Sequence, residues 1–137
     1  VVHLSVGFLS YPEMYAFGKA VQGAIESTRQ KVAVVASGDL SHRLTPDAPA
    51  GYSPQGRLFD ERIIQSLQAM DVKSLFGLAP DLVEEAGQCG LRPIFFLLGT
   101  LDGLETESEI LSYEGPFGVG YGVAIFSIKD RRKIKEG

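Results

Sequence analysis

The sequence predicts an α/β fold of three layers, with helices on both sides of a mainly parallel or mixed sheet. Residues 2–9 alternate apolar with small or polar side chains, placing Val2, Leu4, Val6 and Phe8 on one face and His3 on the other, the period of a strand. Residues 31–36 are almost continuously small apolar or β-branched, which suits a strand buried on both faces of a parallel sheet. The stretch between them carries a helical pattern, and strand, helix, strand in this order implies a right-handed parallel crossover.

The intervening helix is expected over residues 11–28. Ser10 stands three residues before Glu13, the spacing of a capping box, and Pro12 is tolerated in a first turn. Met14, Phe17, Val21, Ile25 and Thr28 follow at helical intervals. Residues 37–53 are rich in Gly, Ser, Asp and Pro, and a loop of that length inside a compact domain points to function. Ser53 and Pro54 open a second helix striped by Phe59, Ile63, Leu67 and Met70. A short helix is expected over 79–87. Residues 93–101 are apolar on every side and read as a buried helix ended by Gly103, although periodicity alone also fits a buried strand. A strand is expected over 117–128, with Val119, Tyr121, Val123 and Ile125 on one face and Gly118, Gly120, Gly122 and Ala124 on the other. Such a bare face lets a helix or another backbone approach closely.

A chain of 137 residues has room for one domain with its own core and not for two. With 45% hydrophobic and 22% charged residues it reads as globular, and no apolar run is long enough to cross a bilayer. It begins without methionine inside an apolar pattern, as expected of a cut through a larger protein. A net charge of −4 argues against nucleic-acid binding, which needs a basic face. The basic stretch at 129–137, with Lys129, Arg131, Arg132, Lys133 and Lys135, reads as a solvated tail or linker. The single cysteine, Cys89, excludes an intrachain disulfide framework and fits a reducing cytoplasm.

Two segments can carry chemistry. Ser37-Gly38-Asp39-Leu40-Ser41-His42 leaves the carboxyl end of the expected strand at 31–36, where open parallel sheets place ligand sites. An imidazole there exchanges protons near neutral pH, and Asp39 and the hydroxyls of Ser37 and Ser41 are close enough in sequence to fix its tautomer. A histidine that only ties the loop down fits equally well. In Gly87-Gln88-Cys89-Gly90-Leu91-Arg92-Pro93, Cys89 precedes a helix start, where the dipole favours thiolate and metal binding; a small buried apolar side chain is the other reading. Gly118-Val119-Gly120-Tyr121-Gly122 is no nucleotide loop, because its glycines alternate within a strand. His3 has nothing nearby to complete a site. The sequence argues against a serine hydrolase, since Ser41 adjoins His42 and there is no Gly-x-Ser-x-Gly elbow.

These segments, with Phe59-Asp60 between them and Ser112-Tyr113-Glu114-Gly115-Pro116-Phe117-Gly118-Val119-Gly120-Tyr121-Gly122 after them, form an ordered series. It resembles the class III extradiol ring-cleavage dioxygenases of LigB type and their Memo-like relatives, in particular the branch found in AmmeMemoRadiSam systems. The resemblance covers residues 1–128 and corresponds to the carboxyl-terminal half of the family's domain. It implies a cytoplasmic, non-haem metalloprotein that opens a catechol-type aromatic ring with dioxygen at Fe(II), with His42 as the acid–base group; Asp39 and Ser41, its neighbours in sequence, are the residues expected to support it. The family's two metal-binding histidines belong to the missing amino-terminal half, so no metal is expected on this chain alone. At the third ligand position the dioxygenases carry a glutamate and the Memo-like proteins a cysteine, matched here by Cys89. A thiolate there implies copper or zinc, and with it a Memo-like protein that binds a metal or ligand without oxygenating it. A fragment missing its other half is expected to self-associate, most simply as a twofold homodimer, and the basic tail is where a fused domain could follow.

Overall fold

The structure, a computed structural model, describes residues 1–28 and 30–129; the tail from 130 onward lies outside the described residues. The chain folds as α1 (Tyr11–Ser27), α2 (Pro54–Ala69), α3 (Val72–Phe76), α4 (Pro80–Ala86) and α5 (Leu91–Thr100), followed by strands β1 (Thr106–Glu114) and β2 (Tyr121–Ile128). It is an α/β chain, as the sequence indicates.

The capping box forms at the start of α1: the Glu13 N–H donates to the Ser10 hydroxyl, and the Glu13 carboxylate accepts the Ser10 N–H at 2.8 Å. Met14 and Gly18 on its inner face are buried against α5, the more apolar helix, whose Leu91, Phe95 and Leu98 are closed to solvent. The two helices meet through glycine. A Cβ on Gly18 would lie 2.9 Å from the Gly99 Cα, and one on Gly99 would lie 3.0 Å from the Gly18 Cα. Rings fill the flanks, with Tyr11 stacked on Phe95 at 5.1 Å and Phe17 tilted against Phe96 at 5.2 Å.

Ser53 caps α2, and Pro54 opens it. The buried stripe of α2 comprises Gly56, Phe59, Asp60, Ile63, Ser66 and Leu67, so a carboxylate sits in the middle of an apolar face. Over this stripe lies the antiparallel pair β1–β2, with Glu109 opposite Ile125 and Tyr113 opposite Gly122. The strand begins at Tyr121 rather than at 117, because Pro116–Gly118 form a 3-10 turn and Val119 is buried, but within it the small-residue face turns inward: a Cβ on Gly122 would lie 3.2 Å from the Ile64 Cδ1. Tyr121, Val123 and Ile125 point outward and stay about half exposed.

The sheet differs from the expected one. It is antiparallel and two-stranded, and among the described residues neither 2–9 nor 31–36 joins a ladder. Alternation specifies a strand only where a neighbour accepts its N–H and C=O groups. Here the two segments instead border an apolar groove floored by Met14, Phe17, Val21 and Phe96, and Val2, Leu4 and Val35 remain exposed. The parallel crossover is therefore not formed. Strand β1 was hidden in the sequence because its residues are mostly polar and a register shift between Ile110 and Ser112 breaks the alternation. No described helix is long and apolar enough to cross a membrane.

The α1–α5 contact gives a direct test. Replacing Gly99 by Leu forces a side chain into the Tyr15 and Gly18 backbone and is expected to cost about 1–3 kcal/mol or more, read as a lower urea midpoint. A variant as stable as the parent would contradict this packing.

Candidate functional site

The loop after residue 36 is held to the body of the chain by its backbone. The Leu40 N–H donates to the Gly120 carbonyl at 2.9 Å, the Gly120 N–H to the Ser41 carbonyl at 2.8 Å, and the Leu44 N–H to the Gly118 carbonyl at 3.0 Å. Ser41 is fully buried. Its N–H donates to the Asp60 Oδ1 at 2.8 Å, and its hydroxyl donates to the Ala86 carbonyl at 2.9 Å while accepting the Arg43 N–H at 3.0 Å. The His42 N–H also donates to Ala86, at 3.1 Å, and the His42 carbonyl accepts the Ala50 N–H at 3.2 Å. The backbone of His42 is thus fixed on both sides, while its ring stays partly open to solvent.

The second segment turns between α4 and α5. Gly87 ends α4 with φ +60, a left-handed conformation natural for glycine. The Asp39 carbonyl then accepts the N–H groups of both Cys89, at 3.3 Å, and Gly90, at 2.7 Å. In return the Cys89 sulfur accepts the Asp39 N–H at 3.2 Å. The segments approach so closely that a Cβ on Gly38 would lie 2.6 Å from the Gly90 Cα, and one on Gly90 would lie 2.7 Å from the Asp39 carbonyl oxygen. Both positions therefore need glycine.

This backbone clamp brings three side chains together. The Cys89 Sγ lies 3.8 Å from the His42 Nε2, and the Asp39 Oδ2 lies 3.6 Å from the same nitrogen. One donor atom from each of the three falls within 4.8 Å of the others. An imidazole, a thiol and a carboxylate at this spacing can share protons or hold a cation.

Asp39, His42 and Cys89 thus converge as the sequence reading required. Ser41 sits beside them in sequence, but its hydroxyl serves Ala86 and Arg43 and does not reach the imidazole. His3 lies in the wall of the apolar groove, outside the cluster. Gln88 turns away: its Oε1 accepts the Leu91 N–H at 2.8 Å and so caps α5, leaving Cys89 as the side chain that this segment presents to His42.

Sequence reasoning assigned no role to Asp60 and Tyr113. The Tyr113 hydroxyl donates to the Asp60 Oδ2 at 2.6 Å. Burial pushes the Asp60 carboxyl up from its ordinary value, opposed by the hydrogen bonds from Tyr113 and Ser41. Burial, reinforced by the hydrogen bond to Asp60, pushes the Tyr113 phenol up as well. The signal was present in the sequence, since position 60 falls on the same helical stripe as Gly56, Ile63 and Leu67.

An α/β chain that gathers these donors where two loops meet has the outline of a metal- or ligand-binding domain. The chain matches, over residues 1–124, the family described as the catalytic LigB subunit of aromatic ring-opening dioxygenase, and it belongs to that family. It is 46% identical over 139 aligned residues to Protein CA_C1420 of Clostridium acetobutylicum, an alignment covering 99% of this chain and 30% of that protein. It is 37% identical over 79 residues to the MEMO1 family protein MTH_45 of Methanothermobacter thermautotrophicus, covering 56% of this chain and 24% of that protein. The alignments therefore cover less than a third of the length of each of these relatives.

Proposed function

We propose that Asp39, His42 and Cys89 are this chain's share of a LigB/Memo-type metal site, with Cys89 as a ligand and His42 as the group that takes up and returns a proton. The observation that carries this reading is the placement of the thiol and the carboxylate 3.8 and 3.6 Å from one imidazole nitrogen. As a donor set, thiolate with imidazole suits zinc or copper, whereas a ferrous oxygenase site wants two imidazoles and a carboxylate. Gln88, committed to the α5 N-terminus, supplies no carboxylate. This donor set supports a Memo-like protein that binds a metal or small ligand, and its lone free thiol suits a reducing cytoplasm. When bound, the metal would act as a Lewis acid toward a small ligand. The remaining ligands would come from the part of the protein beyond this chain. Asp39 orients the ring, and Ser41 secures the loop that carries it.

The second reading is extradiol ring cleavage of a catechol-type substrate with dioxygen at Fe(II). It is favoured by the description of the matching family as a ring-opening dioxygenase. In that case His42 takes a proton from the substrate hydroxyl.

Metal analysis of the complete protein, paired with a catechol turnover assay and the variant His42→Ala, separates these readings. Zinc or copper without turnover supports the binding protein; iron with turnover supports the oxygenase. In an oxygenase, His42→Ala is expected to lower turnover by about 10²–10⁴-fold with metal retained. Loss of the metal in that variant would make His42 a ligand and contradict the proton-transfer role.

The apolar groove between 1–6 and 30–37 leads to a companion proposal, that this chain alone self-associates as a twofold dimer through its exposed apolar segments. Sedimentation across a wide concentration range is expected to show mass growing beyond that of one chain. A strict monomer at high concentration would refute it.

A further inference from the structure

The carboxylate of Asp60 has no part in the site as described, yet it is completely closed to solvent. Both of its hydrogen-bond partners are neutral donors, the Ser41 N–H on Oδ1 at 2.8 Å and the Tyr113 hydroxyl on Oδ2 at 2.6 Å. Burying a carboxylate without an ion pair is costly, and an apolar residue in this stripe would pack at lower cost. Room has also been made for it. A Cβ on Gly120 would collide with the Asp60 Oδ2 and crowd the Leu40 Cβ, so the glycine just before β2 is what admits the carboxylate.

The bonds it makes lead to the site. Oδ1 holds the residue directly before His42. Ser41, through its hydroxyl, and His42, through its N–H, both donate to the Ala86 carbonyl, three residues before Cys89. One carboxylate on α2 therefore joins β1, the His42 loop and the turn bearing the thiol. We propose that Asp60 is a positioning residue: by holding the Ser41 N–H, with Tyr113 bracing its other oxygen, it sets the His42 ring against the Cys89 sulfur. The inference rests on the pairing of His42 with Cys89 proposed above, and it holds whichever metal or ligand the site takes.

Alkylation of Cys89 by iodoacetamide at one fixed pH reads that pairing directly, because an imidazole in reach accepts the proton as the sulfur reacts. The rate is followed on the Cys89 peptide by mass spectrometry, well below the unfolding temperature of every variant. His42→Ala is expected to slow it. Asp60→Ala is expected to slow it by about threefold or more, as for coupled members of one hydrogen-bond network, and to add nothing further in the His42→Ala background. Asp60→Asn keeps an acceptor for Ser41 and can donate to the Tyr113 oxygen, so it should restore most of the parental rate. A general loosening of the fold would instead change the rate equally with and without His42. If Asp60→Ala does not fold, Tyr113→Phe and Gly120→Ala carry the same cycle, since one removes the brace and the other displaces the carboxylate.

A rate unchanged by Asp60→Ala while His42→Ala slows the reaction overturns the positioning role and leaves the pairing standing. An effect of Asp60→Ala that persists undiminished without His42 also overturns it. A rate unchanged by His42→Ala overturns the pairing and, with it, this inference.

Discussion

The pairing of thiol and imidazole depends on one backbone contact, the acceptance by a single carbonyl, that of Asp39, of the N–H groups of Cys89 and Gly90. Fifty residues separate Asp39 from Cys89, and the backbone bonds bring their segments side by side. The contact is close because Gly38 and Gly90 have no side chains to keep the backbones apart. With the clamp in place, the thiol and the imidazole are neighbours as a consequence of where their backbones run.

The clamp is itself supported from below. Pairing of Leu40, Ser41 and Leu44 with Gly118 and Gly120 ties the loop to the start of β2, and Asp60 reaches the same place from α2. Each support relies on a glycine facing a backbone or a carboxylate. The interhelical contact between Gly18 and Gly99 uses the same device elsewhere. Close approach of backbones, rather than the bulk of the apolar core, is what gives the site its shape.

Much of this was legible in the sequence where the signal is local. The Ser10–Glu13 box, the Ser53–Pro54 start and the apolar stripes of α1, α2 and α5 are set by interactions within a turn or two, and the helices formed as read. Strands were less legible because their evidence lies in a partner. Residues 31–36 have the composition of a buried strand and form no ladder here, whereas β1, polar and interrupted by a shift of register, does pair. At the site, Asp39, His42 and Cys89 were found from residue chemistry and family likeness, and the structure gathers them. The hydroxyl contacts of Ser41, to Ala86 and Arg43 rather than to the imidazole, are not legible because adjacency in sequence says nothing of which way a side chain turns. Asp60 is legible as a member of the Phe59-Asp60 motif and as a carboxylate on an apolar stripe, but its role is not, because its partners, Ser41 and Tyr113, lie 19 and 53 residues away.

The central claim is that Cys89 belongs to the metal site. X-ray absorption at the edge of whichever metal the complete protein retains tests it most directly. One sulfur scatterer at about 2.3 Å, with lighter nitrogen or oxygen neighbours at about 2.0–2.2 Å if the metal is zinc, and loss of the sulfur shell in Cys89→Ser is the expected result. A shell of nitrogen and oxygen alone in the unaltered protein would contradict it.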